Sequence, residues 1–177
     1  MRRPSVSATI CISLLPLRRR IFSSAIMEAA RPLQRSITRL SAQKVQVNVT
    51  AMMTLGQVRH VVEVLHEETL AVVSVFAGRI ADTGVDPVPL MREAVRILES
   101  RPKAELLWAS PRELLNIFHA DEVGCHIITV THDLLGKLKG VGKDLDQFSL
   151  ETVQMFYDDA SAAGYTITTD KKAATSG

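Results

Sequence analysis

Short apolar runs alternate with longer amphipathic stretches between residues 45 and 165. Four of these runs are rich in β-branched or aliphatic residues, which is typical of strands. They lie at residues 45–50, 70–75, 104–109 and 126–130. The run at 70–75 is almost continuously apolar, as in a strand that is covered on both faces. We therefore predict four short strands with helices between them.

Apolar residues at helical spacing follow each predicted strand, and polar capping residues mark where the helices begin. The predicted first residues of the successive helices are Thr54, Asp86, Ser110, Thr131 and Ser149. A Pro follows both Asp86 and Ser110, as is common in the first turn of a helix. Strands that alternate with helices in this way predict an α/β fold with a parallel sheet.

Two architectures fit this alternation, a doubly wound sheet and a (β/α)8 barrel. No glycine-rich phosphate loop follows the first strand, so nothing favours a dinucleotide-binding sheet. A complete barrel has eight strands and runs to ~250 residues. A chain of 177 residues with four strand–helix units therefore has room for a partial barrel.

Polar residues lie where the predicted strands end, which is where parallel α/β proteins bind their ligands. Asn48 and Thr50 end the first strand and share one face of it, because side chains alternate along a strand. The next two strand ends each supply a serine and an arginine. The planar guanidinium group suits phosphate, and we expect Ser110 to lie near a helix N-terminus, which also favours anions.

These strand ends resemble motifs of the transaldolase family. Residues 48–54, Asn-Val-Thr-Ala-Met-Met-Thr, resemble the fifth-strand motif, and residues 74–80 resemble the sixth-strand motif Ser-Pro-Phe-Val-Gly-Arg-Ile. Residues 109–112 resemble the seventh-strand motif Ala-Ser-Phe-Arg, and residues 126–130 fit the eighth strand. The resemblance covers residues 43–165 and implies a partial TIM (β/α)8 barrel of about four C-terminal strand–helix units.

The resemblance implies a class I mechanism of carbohydrate metabolism, as in the pentose phosphate pathway. A lysine on the fourth strand forms a Schiff base with a ketose phosphate, and a dihydroxyacetone unit moves to an aldose phosphate. Carried over by position, the substrate-binding residues would be Asn48, Thr50, Ser74 and Phe76. The phosphate-binding residues would be Arg79, Ser110 and Arg112. We expect sugar phosphates as ligands, no cofactor and no metal.

Two features bear on the activity within the family. Fructose-6-phosphate aldolases tend to have Ala and Tyr where this chain has Ser74 and Phe76, and they tend to lack Asn at the position of Asn48. All three residues favour transaldolase. Val75 and Pro111 depart from the family's common Pro and Phe.

No residue matches the Schiff-base lysine, since Lys44 precedes its strand, so we expect the chain to be a fragment that is inactive alone. The alternatives are an aldolase-type lyase and a non-catalytic phosphate-binding fragment.

Each candidate also has an ordinary structural interpretation. Arg79 is close enough in the sequence to form an ion pair with Asp82 or Asp86. Arg112 could be an arginine in the first turn of a helix that binds no ligand. Asn48 could instead be a core residue whose side-chain amide forms all its hydrogen bonds within the protein. These interpretations stay open at the level of the sequence.

The ends of the chain differ in composition from its middle. Five arginines precede Glu28, the first acidic residue, while the net charge of the chain is only +2. We predict that residues 1–35 are a basic, disordered segment or an incorrectly assigned start, with an organellar transit peptide as an alternative to a cytoplasmic location. We predict that residues 36–165 form the partial barrel and that residues 166–177 are a polar tail.

The interactions expected of the chain follow from this organisation. The basic residues cluster at one end, so we predict no nucleic-acid partner, and no apolar stretch reaches the ~20 residues of a membrane helix. Four strands of a barrel leave two open sheet edges. We expect Val49, Val73 and Leu107 to be wetted, and the chain to form homo-oligomers, to aggregate or to pair as half-barrels.

Overall fold

The computed structural model describes residues 10–13 and 23–165, with side chains from residue 33 onward. The strands are β1 (Ile10–Ser13), β2 (Val47–Met52), β3 (Ala71–Val75), β4 (Ala104–Trp108) and β5 (Ile127–Ile128). The helices are α1 (Ser23–Ala42), α2 (Leu55–Val64), α3 (Ala77–Ala81), α4 (Pro87–Leu98), α5 (Leu115–Glu122), α6 (His132–Gly136) and α7 (Leu145–Ala162). The predicted polar tail at 166–177 lies outside the described residues.

The strands form one parallel sheet in the order β1-β2-β3-β4-β5. Neighbours in the sequence are thus neighbours in the sheet, as in a barrel whose strands are added one after another. The predicted α/β class and the four parallel strand–helix units after residue 45 are confirmed. Residues 10–13 and 23–35, for which the sequence predicted no element, contribute β1 and the first part of α1.

The predicted starts of two helices are confirmed by their hydrogen bonds. The Thr54 hydroxyl accepts a hydrogen bond from the Gln57 backbone N–H at 3.3 Å, and the Gln57 side chain accepts one from the Thr54 N–H at 3.1 Å. This reciprocal capping box fixes the start of α2. At α4 the Asp86 carboxylate accepts from the Val88 N–H at 2.9 Å, with Pro87 at the first helical position.

Two helix starts and one short helix differ from the prediction. Helix α5 begins at Leu115 and not at Ser110, because the Asn116 side-chain oxygen accepts hydrogen bonds from the Arg112 and Glu113 N–H groups and holds residues 110–114 as a turn. Helix α3 occupies a segment for which no helix was predicted. Helix α7 begins at Leu145, four residues before the predicted Ser149, since Asp144 caps it through the Gln147 N–H.

The two faces of the sheet bury different side chains. One face packs against the helices through side chains that are 0% exposed, namely Val47, Val49, Val73, Val75, Leu106 and Trp108. The opposite face carries Asn48 and Ser74 beside a small apolar cluster of Val72, Leu107 and Ala109. The expectation that Val49, Val73 and Leu107 are wetted is wrong. Alternation along a strand sends Val49 and Val73 away from Asn48 and Ser74, and Leu107 is buried in the small cluster.

Residues 137–165 belong to a second compact unit. It contains a 3-10 turn at Lys137–Gly140 followed by α7, and Lys143 forms an ion pair with Glu151. The ion pair lowers the pKa of the Glu151 carboxyl, first through the hydrogen bond from Lys143. In the described part of the chain, no helix is both long and apolar enough to cross a membrane.

Candidate functional site

The substrate-binding residues predicted from the sequence come together at the ends of β2 and β3. The Ser74 hydroxyl donates a hydrogen bond to the Asn48 side-chain oxygen at 2.7 Å. Ser74 is 3% exposed and Asn48 is half-buried. Within the described residues, the amide nitrogen of Asn48 makes no hydrogen bond. Asn48 is therefore held by the protein at its oxygen and retains donors for a ligand.

A β-bulge shapes the end of β2. The register between β2 and β3 shifts between Val49 and Met52, and Ala51 has a left-handed backbone with φ 68°. Bulges bend a strand locally and re-aim its side chains, and they are frequent beside ligand sites. The bulge turns Met52 into the helix-covered core, while Thr50 remains half-buried on the side of Asn48.

Gly78 lets the segments after β3 and β4 approach each other closely. Its backbone N–H donates to the Ala109 carbonyl at 3.3 Å, and a Cβ built on Gly78 would lie 1.5 Å from the carbonyl oxygen of Ser110. No side chain fits there, since real Cβ atoms do not come within 3.0 Å of another heavy atom. Gly78 therefore brings Arg79, its neighbour in α3, close to Ser110.

Ser110 occupies a strained backbone position and not the start of a helix. Its φ is 59°, a left-handed conformation that is uncommon for any residue except glycine. The predicted helix N-terminus at Ser110 is wrong, so a helix dipole does not contribute to anion binding at this residue. Backbone strain of this kind costs about 1–3 kcal/mol and is concentrated at functional sites.

Arg79 and Phe76 form one unit at the end of β3. The Arg79 side chain is exposed, and its guanidinium carbon lies 5.3 Å from the centre of the Phe76 ring, a cation–π contact. Arg79 forms no ion pair with any described residue. The alternative in which it pairs with Asp82 or Asp86 is wrong, because Asp82 binds a different arginine and Asp86 caps α4.

Arg112, and not Arg79, forms an ion pair with Asp82. Its Nε donates to Asp82 Oδ1 at 3.0 Å and its Nη2 donates to Asp82 Oδ2, so the pairing is bidentate. Its backbone N–H donates to the Asn116 side chain at 2.8 Å. Gly78, Asp82 and Asn116 were not among the predicted site residues. The contacts of Gly78 and Asp82 join the segments after β3 and β4, and a single sequence shows no such long-range pairing. Asn116 acts locally, within the turn that follows β4.

The described lysines of the first unit lie at the opposite edge of the sheet. Lys44 precedes β2, and Lys103 precedes β4, where its ammonium group binds Glu68 at 2.8 Å. The hydrogen bond and charge of Lys103 lower the pKa of Glu68. In residues 10–13 and 23–165, no three His, Cys, Asp or Glu side chains cluster as metal ligands.

Comparison with known proteins gives a consistent result. The family model described as "Transaldolase/Fructose-6-phosphate aldolase" matches residues 34–175. A probable transaldolase 2 of Listeria monocytogenes is 29% identical over 126 residues, which are 65% of this chain and 56% of the relative. A probable transaldolase of Clostridium acetobutylicum is 30% identical over 100 residues, which are 56% of this chain and 45% of the relative. The chain spans about half the length of these curated relatives.

The parallel sheet, with helices between its strands and polar residues at its C-terminal edge, defines a partial (β/α)8 barrel. The family model matches most of the chain. The chain belongs to the transaldolase/fructose-6-phosphate aldolase family.

Proposed function

We propose that the C-terminal edge of β2, β3 and β4 binds a sugar phosphate in the manner of a transaldolase. The observation that carries the proposal is the joining of the three strand ends by direct contacts. Ser74 donates to Asn48 across β2 and β3, and Gly78 packs against the Ser110 carbonyl across β3 and β4. The residues that the family resemblance assigns to the sugar and to the phosphate therefore lie along one edge.

Asn48, Thr50, Ser74 and Phe76 are proposed to bind the dihydroxyacetone part of the sugar. Asn48 has its oxygen occupied by Ser74, so its amide hydrogens are oriented and available to a sugar oxygen. Thr50 and Phe76 are half-buried and flank this pair. Ser74 and Phe76, in place of Ala and Tyr, favour the transaldolase activity over the aldolase activity within this family.

Arg79, Ser110 and Arg112 are proposed to bind the phosphate group. The Arg79 guanidinium is exposed and held over Phe76, which leaves its hydrogen-bond donors available. Hydrogen bonds from a guanidinium to phosphate are charge-assisted and contribute about 1.5–3 kcal/mol each. A phosphate at this edge would therefore account for much of the affinity for the sugar phosphate.

We also propose that the chain by itself forms no Schiff base. Class I catalysis needs an amine at the C-terminal end of a strand, and Lys44 and Lys103 are at the N-terminal edge. β1, the neighbour of β2, has the sequence Ile-Cys-Ile-Ser and no lysine. This observation favours the non-catalytic phosphate-binding fragment as the second candidate. The cytoplasmic location, the oligomeric state and pairing of half-barrels stay predictions.

The test replaces one arginine and compares two sugars. Arg79→Ala should weaken the binding of fructose 6-phosphate by the chain about 10- to 100-fold, the equivalent of ~1.5–3 kcal/mol. Binding of fructose should change little, because it has no phosphate to lose. Isothermal titration calorimetry measures both.

The matched control is Arg92→Ala, which removes an exposed arginine of α4 that pairs with Glu122 and lies outside the site. It should leave both affinities unchanged. Equal losses for fructose and fructose 6-phosphate in Arg79→Ala would show that Arg79 supports the fold. Borohydride added to the complex should trap no covalent adduct, and a trapped adduct would instead favour a catalytic chain.

A further inference from the structure

The segments that follow β3 and β4 contact each other at two points. At one point Gly78 lies against the Ser110 carbonyl, and at the other the Asp82 carboxylate binds Arg112. Arg79 lies between these points in the sequence, on α3. The first contact involves backbone and is rigid. The second joins two side chains that are each 50% exposed.

The Asp82–Arg112 pair is poorly suited to stabilising the fold. Exposed ion pairs contribute little to stability, since solvent screens the charges and two long side chains lose freedom. The turn that carries Arg112 is already held by Asn116, which accepts from the backbone N–H groups of Arg112 and Glu113. The pair therefore acts mainly on the Arg112 side chain and not on the path of the backbone.

The geometry of the pair leaves part of Arg112 available. A guanidinium group has five N–H donors, and Asp82 accepts from Nε and from one hydrogen of Nη2. The remaining hydrogens of Nη1 and Nη2 have no partner among the described residues. They form the end of the guanidinium fork, which can donate two parallel hydrogen bonds to a phosphate.

We propose that Asp82 is a positioning residue that holds the Arg112 guanidinium with its free end toward the phosphate site. This inference rests on the proposed function of that site. Asp82 fixes the side chain of Arg112 before the ligand binds, so the ligand does not have to order it. Asp82 is also an anion. When Arg112 is absent, the negative charge of Asp82 is not neutralised and repels a phosphate.

These two effects of Asp82 have opposite signs, and a double-mutant cycle separates them. The probe is inorganic phosphate at low ionic strength, followed by the backbone amide NMR signals of Gly78, Arg79 and Ser110. Asp82→Ala should weaken phosphate binding about tenfold, in line with the freedom of one long side chain that must then be ordered on binding. In the Arg112→Ala background, Asp82→Ala should instead leave binding unchanged or strengthen it slightly.

Two further variants complete the experiment. Asp82→Asn keeps one acceptor for Arg112 and should lose less affinity than Asp82→Ala. Asp121→Ala removes an exposed carboxylate near the C-terminal end of α5 and should have no effect beyond the change in net charge. The Arg112 Nε–H signal should show an ordered side chain in the unsubstituted protein and a mobile one in Asp82→Ala.

The outcomes are distinct. Stronger phosphate binding on removal of Asp82 in both backgrounds would show that Asp82 only repels the ligand, and would overturn the proposal. Equal weakening in both backgrounds would show a structural role and would also overturn it. A protein with an ordered Arg112 that binds no phosphate at all would overturn the proposed function of the site, and the positioning role with it.

Discussion

The two edges of the parallel sheet both carry polar side-chain networks, yet they differ in what these networks bind. At the N-terminal edge the Thr69 hydroxyl donates to the Ser41 carbonyl at 2.7 Å, and Lys103 binds Glu68. These donors and charges are matched within the protein. At the C-terminal edge, among the described residues, the amide hydrogens of Asn48 have no acceptor and Arg79 has no anionic partner.

The packing of the backbone also differs between the edges, although left-handed residues occur at both. Lys44, with φ 60°, precedes β2, while Ala51 and Ser110, with φ of 68° and 59°, lie at the C-terminal ends of β2 and β4. The close approach of Gly78 to Ser110 is at the C-terminal edge. In (β/α)8 barrels the C-terminal face carries the ligand site and the N-terminal face supports stability. Substitutions at the two edges should therefore affect different measurable properties.

The largest effect is expected from Gly78→Ala. A Cβ 1.5 Å from the Ser110 carbonyl oxygen cannot be accommodated without moving backbone, so the segments after β3 and β4 should separate. We expect loss of phosphate binding together with a fall of about 1–3 kcal/mol in the free energy of unfolding, as for an overpacked core position. Urea denaturation and phosphate titration measure the two effects.

Gly56→Ala is the matched control for this substitution. Gly56 lies in α2, and its nearest neighbouring atom would be 3.9 Å from the new Cβ. The change should stabilise the helix by up to about 1 kcal/mol and leave phosphate binding unaltered. If Gly78→Ala also bound phosphate normally, the close approach to Ser110 would have no part in the site.

A smaller effect, confined to stability, is expected at the other edge. Thr69→Val keeps the shape of a side chain that is 5% exposed but removes its hydrogen bond to Ser41. The free energy of unfolding should fall by about 1 kcal/mol, the typical net contribution of such a bond. The affinity for fructose 6-phosphate should not change. A loss of affinity would contradict the view that the N-terminal edge supports stability and not ligand binding.

The sequence predicted those parts of the fold that depend on local patterns. The period-two alternation in β2 correctly put Asn48 and Thr50 on one face, and Thr54 and Asp86 correctly marked two helix starts. Helix α3 has five residues, too few to show a helical period, and was missed. No local pattern reveals the pairing of β1 with β2, which joins residues far apart in the sequence.

The candidate site was predicted in its composition but not in its internal contacts. The motifs identified Arg79 and Arg112, but not which of them binds Asp82, because that choice depends on how α3 and the turn at 110–114 face each other. Ser110 was predicted to mark the start of a helix because Pro111 follows it, and Pro is common in the first turn of a helix. Ser110 instead has a left-handed conformation and lies against Gly78, a contact that a single sequence does not show.

The smallest effect is a pH dependence at the N-terminal edge. The hydrogen bond and charge of Lys103 lower the pKa of Glu68 below its ordinary value of 4.5. A carboxyl with a lowered pKa in the folded state stabilises the protein above its unfolded pKa, and this contribution is lost as the pH falls through the folded pKa. Glu68 is fully exposed to solvent, so the effect is small and sensitive to salt.

Comparison with Glu68→Gln isolates this contribution. The unsubstituted protein should be slightly more stable than the variant at pH 7. The difference should decrease as the pH falls below 4.5 and vanish below the lowered pKa of Glu68 in the folded protein. Thermal denaturation at low and at high salt, across that pH range, measures it. A difference that grows as the pH falls has the wrong sign for the Lys103 interaction and would refute it.

We expect the C-terminal edge of the sheet to bind the phosphate end of a sugar phosphate, and we claim that the N-terminal edge does not. Titration of the ¹⁵N-labelled chain with fructose 6-phosphate, and separately with fructose, tests it most directly. We predict that the amides of Ser74, Gly78, Arg79 and Ser110 shift with fructose 6-phosphate, and far less with fructose. Shifts around Lys44 and Thr69 instead, or equal shifts with both sugars, would contradict the claim.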